Sequence, residues 1–496
     1  MTGTTTRSAD VVVYGATAGG ALAAVAAARA GASALLVATG RHVGGMLSGG
    51  LSRSDVERQE RLLGGLTAEV FQRIGAHYGH AIAWRFEPHV AEAVLDELLA
   101  EAGVTVVPEA PLAKVDVRDD RIAGVLAGEA TIEAAVWVDA SYEGDLMAAA
   151  GVTHAVGRES RELHGEGLAG RREILPNPHQ ARVAVSALDE AGAILERVVP
   201  YDEIGPIGAG DGRIQAYCYR LCLSRAPDRR PLAAPPGYDR ARFVLVERYL
   251  ASLVRDGIRP TMHDVIGISE VPGDKADVNS HGPFSTDLLG ASWGYPAAAR
   301  PERNRIAAEH RDWAAGLLHF LATDAAVPGE IAGLLEPYGY PADEFTDSDG
   351  WPHQIYVREA RRMVGEHVLT EADLLGGRIP GDTVGLAGYN IDIREVQWVA
   401  CPISRFPDVH QEVLVEGYLS VPVRAYGIPY RSLLPRRTEV ANLLVCGAIS
   451  ASSVAFASFR MEPQFMIAGH AAGTAAAQAV RRRVAVHDVD VDVLRA

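Results

Sequence analysis

Lysine, cysteine and aromatic side chains are scarce in this chain. Lysine occurs only as Lys114 and Lys275. Neither sits in a glycine-rich Walker loop or in a context that would hold pyridoxal, which disfavours both chemistries. The cysteines are Cys218, Cys222, Cys401 and Cys446. None forms a CxxC pair, so a dithiol-type flavin reductase is excluded. There is no HExxH and no Cys/His ligand spacing, which argues against metal-assisted hydrolysis and leaves no metal site to predict. Positive charge is also short: the net charge is −16, the wrong sign for nucleic acid or an anionic membrane as the main partner. The arginine triplet 481–483 reads as a solvated helix end. No apolar run is long and unbroken enough for a membrane span. The start, MTGTTTRSAD, has no basic segment followed by an apolar core. The expectation is a cytoplasmic, reduced protein acting on a small molecule, with its oligomeric state open.

What is present is glycine in two clusters near the start. Residues 10–50 read DVVVYGATAGGALAAVAAARAGASALLVATGRHVGGMLSGG. A buried strand (10–14) enters a turn with Gly15, Ala16, Thr17 and Gly20, and an alanine-rich helix follows (about 21–30). A second strand (34–37) then leads to Gly44, Gly45, Met46, Leu47, Gly49 and Gly50. Such a βαβ unit brings backbone close to a pyrophosphate and aims a helix N-terminus at it. Two positions break the usual pattern. Thr17 stands where a second glycine is usual, and its hydroxyl could donate to phosphate. Ala38 replaces the acid expected at the end of the second strand, leaving Thr39 as the nearest partner for ribose, with Arg41 beside it. The second glycine cluster favours FAD over a nicotinamide nucleotide, because flavoproteins run such a loop along the pyrophosphate and ribityl chain.

The 496 residues suggest two or three domains. An amphipathic helix and a strand are predicted over 85–107, and a hairpin over 112–127 turning at Asp119–Asp120. A further parallel strand (133–138) enters VDASYEGD. From about 156 to 425 the chain is richer in proline and aromatics, with strands expected over 213–224 and helices over 302–322 and 355–367. The apolar NLLVCG (442–447) and a helix over 463–480 then return to the first domain. The expected architecture is α/β: a Rossmann-like FAD-binding domain with a parallel sheet, formed by 1–155 and 426–496 and interrupted by an α+β substrate domain over 156–425. The helix beginning near Met461, Gln464 and Phe465 would offer its N-terminus to negative charge on the flavin, with Arg460 just before it.

Several motifs in order carry a family resemblance: GATAGG, RHVGGMLSGGL, RFEPHVAEAV, VDASYEGDLMAAAGVTHAVGRES, QAYCYRLCLS, DVNSHGPFSTD, WPHQIYVREARRMVG, IPYRSLLPRR and SASSVAFASFRMEPQFMIAGHAAG. Over about residues 10–480 the chain resembles the FAD-dependent oxidoreductases distantly related to succinate dehydrogenase and fumarate reductase flavoproteins. The resemblance implies a glutathione-reductase-type FAD domain. It would set Gly15 and Gly20 on the pyrophosphate, and Gly44, Gly45, Leu47, Gly49 and Gly50 along the ribityl and flavin. Leu112 would meet adenine, Ala140 and Ser141 the adenosine half, and Met461, Gln464 and Phe465 the pyrimidine edge. The chain departs from the family with Ala18 for proline, Ala38 for glutamate, and Ser453 and Arg394 where histidines are usual.

A flavin that accepts hydride needs a protein group to take a proton. A base with a pKa near neutral suits that task, and histidine is the default. His281 and His353, both in polar loops, are the candidates. Arg358, Arg362 and Arg220 could grip a carboxylate substrate or form interdomain ion pairs. Arg394, with Ser453 and Arg220, is the candidate for substrate specificity. The expected activity is dehydrogenation or oxidation of a small polar metabolite. The alternatives are a monooxygenase fed by external NAD(P)H and a non-catalytic flavin protein.

Overall fold

In the computed structural model, which describes residues 5–56, 59–402 and 409–495, strand β1 (Thr5–Tyr14) forms the spine of a seven-stranded sheet. The first four residues of the amino-terminal stretch lie outside the described residues. The second half of β1 is apolar on both faces and wholly buried, as a central parallel strand must be. Helix α1 (Ala18–Arg29) crosses to β2 (Ala34–Val37), which pairs parallel with β1. Helix α2 (Gly65–His77) and helix α3 (Pro88–Glu101) precede β3 (Thr105–Val107), which is parallel to β2. Pro88 suits the first turn of α3, where no N–H is needed. The hairpin of β4 (Leu112–Arg118) and β5 (Arg121–Ala127) turns at Asp119 and Asp120, both left-handed. It leads into the long β6 (Ala130–Asp139), which lies parallel to β1 on one edge. On its other edge β6 pairs with β5 at its start and with the return strand Leu443–Val445 at its end. The sheet order is therefore β3-β2-β1-β6-β5-β4, with the return strand also beside β6.

The C-terminal helix Glu462–Arg482 packs on α1 almost backbone to backbone. A β-carbon at Gly469 would lie 1.9 Å from the Gly19 carbonyl oxygen, and one at Gly473 would lie 2.0 Å from that of Ala23. The small face of this helix is thus a packing requirement. Contact this close brings the start of the helix, Glu462–Phe465, beside the first turn of α1.

Away from the sheet, the chain builds an antiparallel three-stranded sheet from Leu221–Ser224, Ile266–Val271 and Lys275–Ser280. A second small sheet joins Val198–Pro200, Gln397–Cys401 and Glu412–Glu416, and the helix Arg300–Thr323 spans 24 residues. Two local expectations fail. Of the strand read over 213–224 only 221–224 forms, with isolated bridges at Tyr217 and Cys218. The segment 355–367 is not helical. Its backbone is spent on neighbours instead: Tyr356 N–H donates to Cys218, Met363 to Ala448 and Val364 to Thr153. Arg358 and Arg362 within it are drawn inward to the buried carboxylates of Asp287 and Glu159.

Lys275 joins the two regions. It is 1% exposed, and its Nζ lies 2.7 Å from Glu87 and from Glu344 and 2.8 Å from Asp343. Glu87, Glu344 and His89 are the converging group of metal-type ligands among the described residues, and the ammonium already bonds both carboxylates.

Gly469→Ala should lower unfolding stability by about 3 kcal/mol, because backbone faces the new methyl. Gly333→Ala, a helical position with nothing within 4 Å, should be neutral or stabilising. Denaturant melts of the two variants check the contrast; equal effects would contradict the backbone contact.

Candidate active site

The C-terminal ends of β1, β2 and β6 open on one cavity of about 960 Å³. This is near the top of the roughly 300–1,000 Å³ typical of ligand clefts, and it lies where open α/β sheets bind nucleotides. Of the residues expected to hold a cofactor, Gly15, Ala16, Thr17, Thr39, Arg41, Gly45, Leu112 and Ser141 line it. The two glycine clusters meet: Gly44 N–H donates to the Ala16 carbonyl at 2.8 Å, and Thr17 bridges to Gly44. Gly15 has φ +101°, and a β-carbon there would fall 2.6 Å from Ser141 N. Only glycine fits that approach.

Thr17 does not offer its hydroxyl to a phosphate. Its Oγ1 accepts from Gly20 N–H at 3.0 Å, capping α1, and donates to the Ala140 carbonyl at 2.9 Å. Threonine replaces glycine here because it stitches the first turn to the β6 end. Asp139, fully buried at that end, accepts from Ser141 N–H and Oγ and from Met147 N–H. Burial lifts its carboxyl to about 6. Ala38 has both backbone groups paired, its N–H to Val107 and its carbonyl to Ala110. Thr39 and Arg41 remain at the rim, the Thr39 carbonyl accepting from Arg300 at 3.3 Å and Arg41 pairing with Glu109 at 3.0 Å. The Leu112 N–H donates to the Tyr14 hydroxyl at 3.3 Å.

Gly20, Gly44, Met46, Leu47, Gly49, Gly50 and Ala140 form the layer behind the lining. Gly49 and Gly50 lie against Gln354, Pro352 and the Arg220 carbonyl, so the second loop is also packed by segments far along the chain. Met46 N–H donates to the Tyr142 hydroxyl, which donates to Glu462 at 2.6 Å. Burial raises the Glu462 carboxyl to about 8. Met461, Gln464 and Phe465 are buried at the same helix end, and Gln464 Oε1 has no hydrogen-bond partner among the described residues.

The arginines are spoken for. Arg358 pairs with Asp287 at 2.9 Å, Arg220 with Asp277, and Arg460 with Asp392 at 2.9 Å. Arg362 pairs with Glu159 at 2.7 Å. Arg220 and Arg358 flank the ring of Tyr356 at 5.8 Å and 5.2 Å. Of the two readings open from sequence, ion pairing is the one observed. Arg394 donates to Ser280 Oγ at 2.7 Å and approaches His179 Nε2 at 3.2 Å and Glu395 at 3.3 Å. Burial opposes charge on Glu395, but Arg394 and His179 hold it well below the usual carboxylate range. Ser453 is buried, its N–H donating to Glu159 at 2.9 Å.

The two histidine candidates lie apart. His353 lines the cofactor cavity, stacked on His42. His281 lies in a row with His263, His179 and Tyr418, its Nδ1 against the His263 carbonyl. Both are lowered from the ordinary histidine value, His353 by far the more. Burial first, then the charge of His42, takes His353 down to about 4. Burial, opposed by the His263 carbonyl, and nearby positive groups lower His281. His179 and Tyr356 went unread in the sequence, since no local motif marks a lone histidine or tyrosine that a distant segment brings in.

A strand–glycine turn–helix cradle, a second glycine loop paired to it and orphaned polar atoms at the neighbouring helix end suit a flavin dinucleotide. The family model described as FAD dependent oxidoreductase matches residues 10–496, and the chain belongs to that family. No curated protein matches it in sequence. Among solved structures, it is similar to the anhydrotetracycline hydroxylase OxyS from Streptomyces rimosus (19% identity, 34% of this chain and 41% of that one, TM-score 0.24). It is also similar to an L-amino acid deaminase from Proteus vulgaris (17%, 28% and 54%, TM-score 0.23). A third likeness is to a Bacillus halodurans glycerol-3-phosphate dehydrogenase complexed with FAD (12%, 34% and 44%, TM-score 0.24). The chain thus spans about half or less of each. Among the described residues, no helix is long and apolar enough to cross a membrane.

Thr17→Ala should cost about 1 kcal/mol of stability through the lost cap, with FAD affinity nearly unchanged. Paired melts and FAD titrations read this; lost affinity at intact stability would restore the phosphate role.

Proposed function

We propose that this protein oxidises a small polar metabolite, with residues from about 156 to 425 forming the substrate side. When bound, FAD supplies the acceptor for the hydride equivalent. The observation that carries the reading is the buried charge cluster beside the glycine loops, where Arg220, Arg358, Arg394 and Arg460 gather near Tyr356 with Asp277, Asp287, Glu395 and Asp392. Four cations matched by four carboxylates favour a polar substrate over a strongly anionic one. Arg358 and Arg460 tie this cluster together through Asp287 and Asp392.

Within it, His281 is the proton acceptor. Its Nδ1 is engaged by the His263 carbonyl, which leaves Nε2 with the lone pair. Its lowered pKa keeps the ring neutral and able to accept near pH 7. Arg394 and Glu395 orient His179 beside it, and Ser453 anchors the helix start behind through Glu159. The substrate-specificity role of Arg394 becomes one of positioning.

Anaerobic screening of small hydroxy and amino compounds tests the reaction. Bleaching of the flavin absorbance by one compound alone is expected. Reduction by NAD(P)H and by no compound alone would favour a monooxygenase and contradict this proposal. With a substrate in hand, kcat/KM should fall as pH drops below the ordinary histidine range and His281 gains its proton. His281→Gln should lower kcat at least a hundredfold and remove that acid limb; an unchanged limb would rule His281 out.

A further inference from the structure

Part of the cofactor cavity is lined from the middle of the chain. Arg300, Arg303, Asn304 and Ala307 of the helix Arg300–Thr323 line it, the i, i+3, i+4, i+7 spacing of one helix face. The stretch that enters this helix is pinned to the loop after β6. Arg303 grips Asp145 through both terminal nitrogens at 2.7 and 2.9 Å, and the Tyr295 hydroxyl donates to Glu143 at 3.0 Å. That fixes where Arg300 stands. It is exposed and lines the cavity, and one terminal nitrogen donates to the Thr39 carbonyl at 3.3 Å. Of the other arginines that line the cavity, Arg303 and Arg361 share Asp145, and Arg41 pairs with Glu109. Arg300 has no carboxylate partner among the described residues, and the Thr39 carbonyl is its one hydrogen-bond acceptor there.

Thr39 follows the end of β2, where dinucleotide folds of this kind set an acid on the adenosine ribose. Here that acid is missing. Ala38 is 1% exposed, and both its backbone groups are taken. We infer that Arg300 replaces it, donating to the adenosine ribose of FAD. A guanidinium carries five N–H donors in a planar fork, so the bond to Thr39 leaves donors free for the ribose hydroxyl oxygens. The exchange reverses the charge at the ribose. An acid there suits a bare 2′-hydroxyl, whereas a nearby arginine accommodates a 2′-phosphate. The adenosine end of this cavity therefore favours an anionic ribose, and Lys114, which also lines the cavity, adds to the same sign. Thr39 and Arg300 stand 261 residues apart, so the cofactor is gripped from the middle of the chain as well as from its start. The inference rests on the family's FAD and not on the acceptor role given to His281.

Titration of flavin-stripped protein with FAD and with FMN, which lacks the adenosine half, tests the inference by flavin fluorescence. Arg300→Gln should bind FAD about tenfold more weakly and FMN as the wild type does. Wild-type FAD affinity in this variant, or an equal loss for FMN, would overturn the assignment. Adenosine nucleotides as competitors of FAD give a second reading. In wild-type protein, adenosine 2′,5′-bisphosphate should compete severalfold better than adenosine 5′-monophosphate. Arg300→Gln should lose most of that preference. Equal competition by the two in wild-type protein, or an undiminished preference in Arg300→Gln, would overturn the ribose contact.

Discussion

The close contact between α1 and the C-terminal helix is the constraint on which the rest depends. The two helices come from opposite ends of the chain, and Gly19, Gly469 and Gly473 let them touch through backbone. That contact sets the return strand beside β6 and brings Met461–Phe465 to the turn that opens α1. Neither glycine loop would face a helix end without it. Thr17 completes the arrangement by tying the start of α1 to the end of β6.

Buried charge is the second organising feature. Lys275, Arg358, Arg362 and Arg394 have buried charged groups, and each has a carboxylate partner contributed by a distant segment. Such pairs add little net stability against apolar replacements, but removing one partner is costly, at about 3–5 kcal/mol. Their effect here is to specify which segments meet. Lys275 joins the cap hairpin to α3. Arg362 joins the extended segment 354–365 to Glu159, which in turn receives the Ser453 N–H.

The nucleotide half was legible in sequence because its signals are local. An apolar strand, a glycine turn, an alanine-rich helix and a small-faced C-terminal helix each follow from a few adjacent residues. So do the hairpin at Asp119–Asp120 and the helix after Pro88. The stretch from about 156 to 425 was not, because its structure is made by long-range pairing. A helix is expected over 355–367, yet the segment is held extended by backbone partners at Cys218, Thr153 and Ala448. Thr17 suggested a phosphate donor because its partners, Gly20 and Ala140, are fixed only by the folded turn. The His42–His353 stack joins positions 311 residues apart, and no spacing rule finds such a pair.

The central claim is that the paired glycine loops and the two joined helices hold FAD. The visible spectrum of the purified chain, taken after incubation with FAD and desalting, tests it most directly. Retained flavin bands at one equivalent per chain are the predicted result. A colourless protein from which all the FAD has washed away would contradict the account.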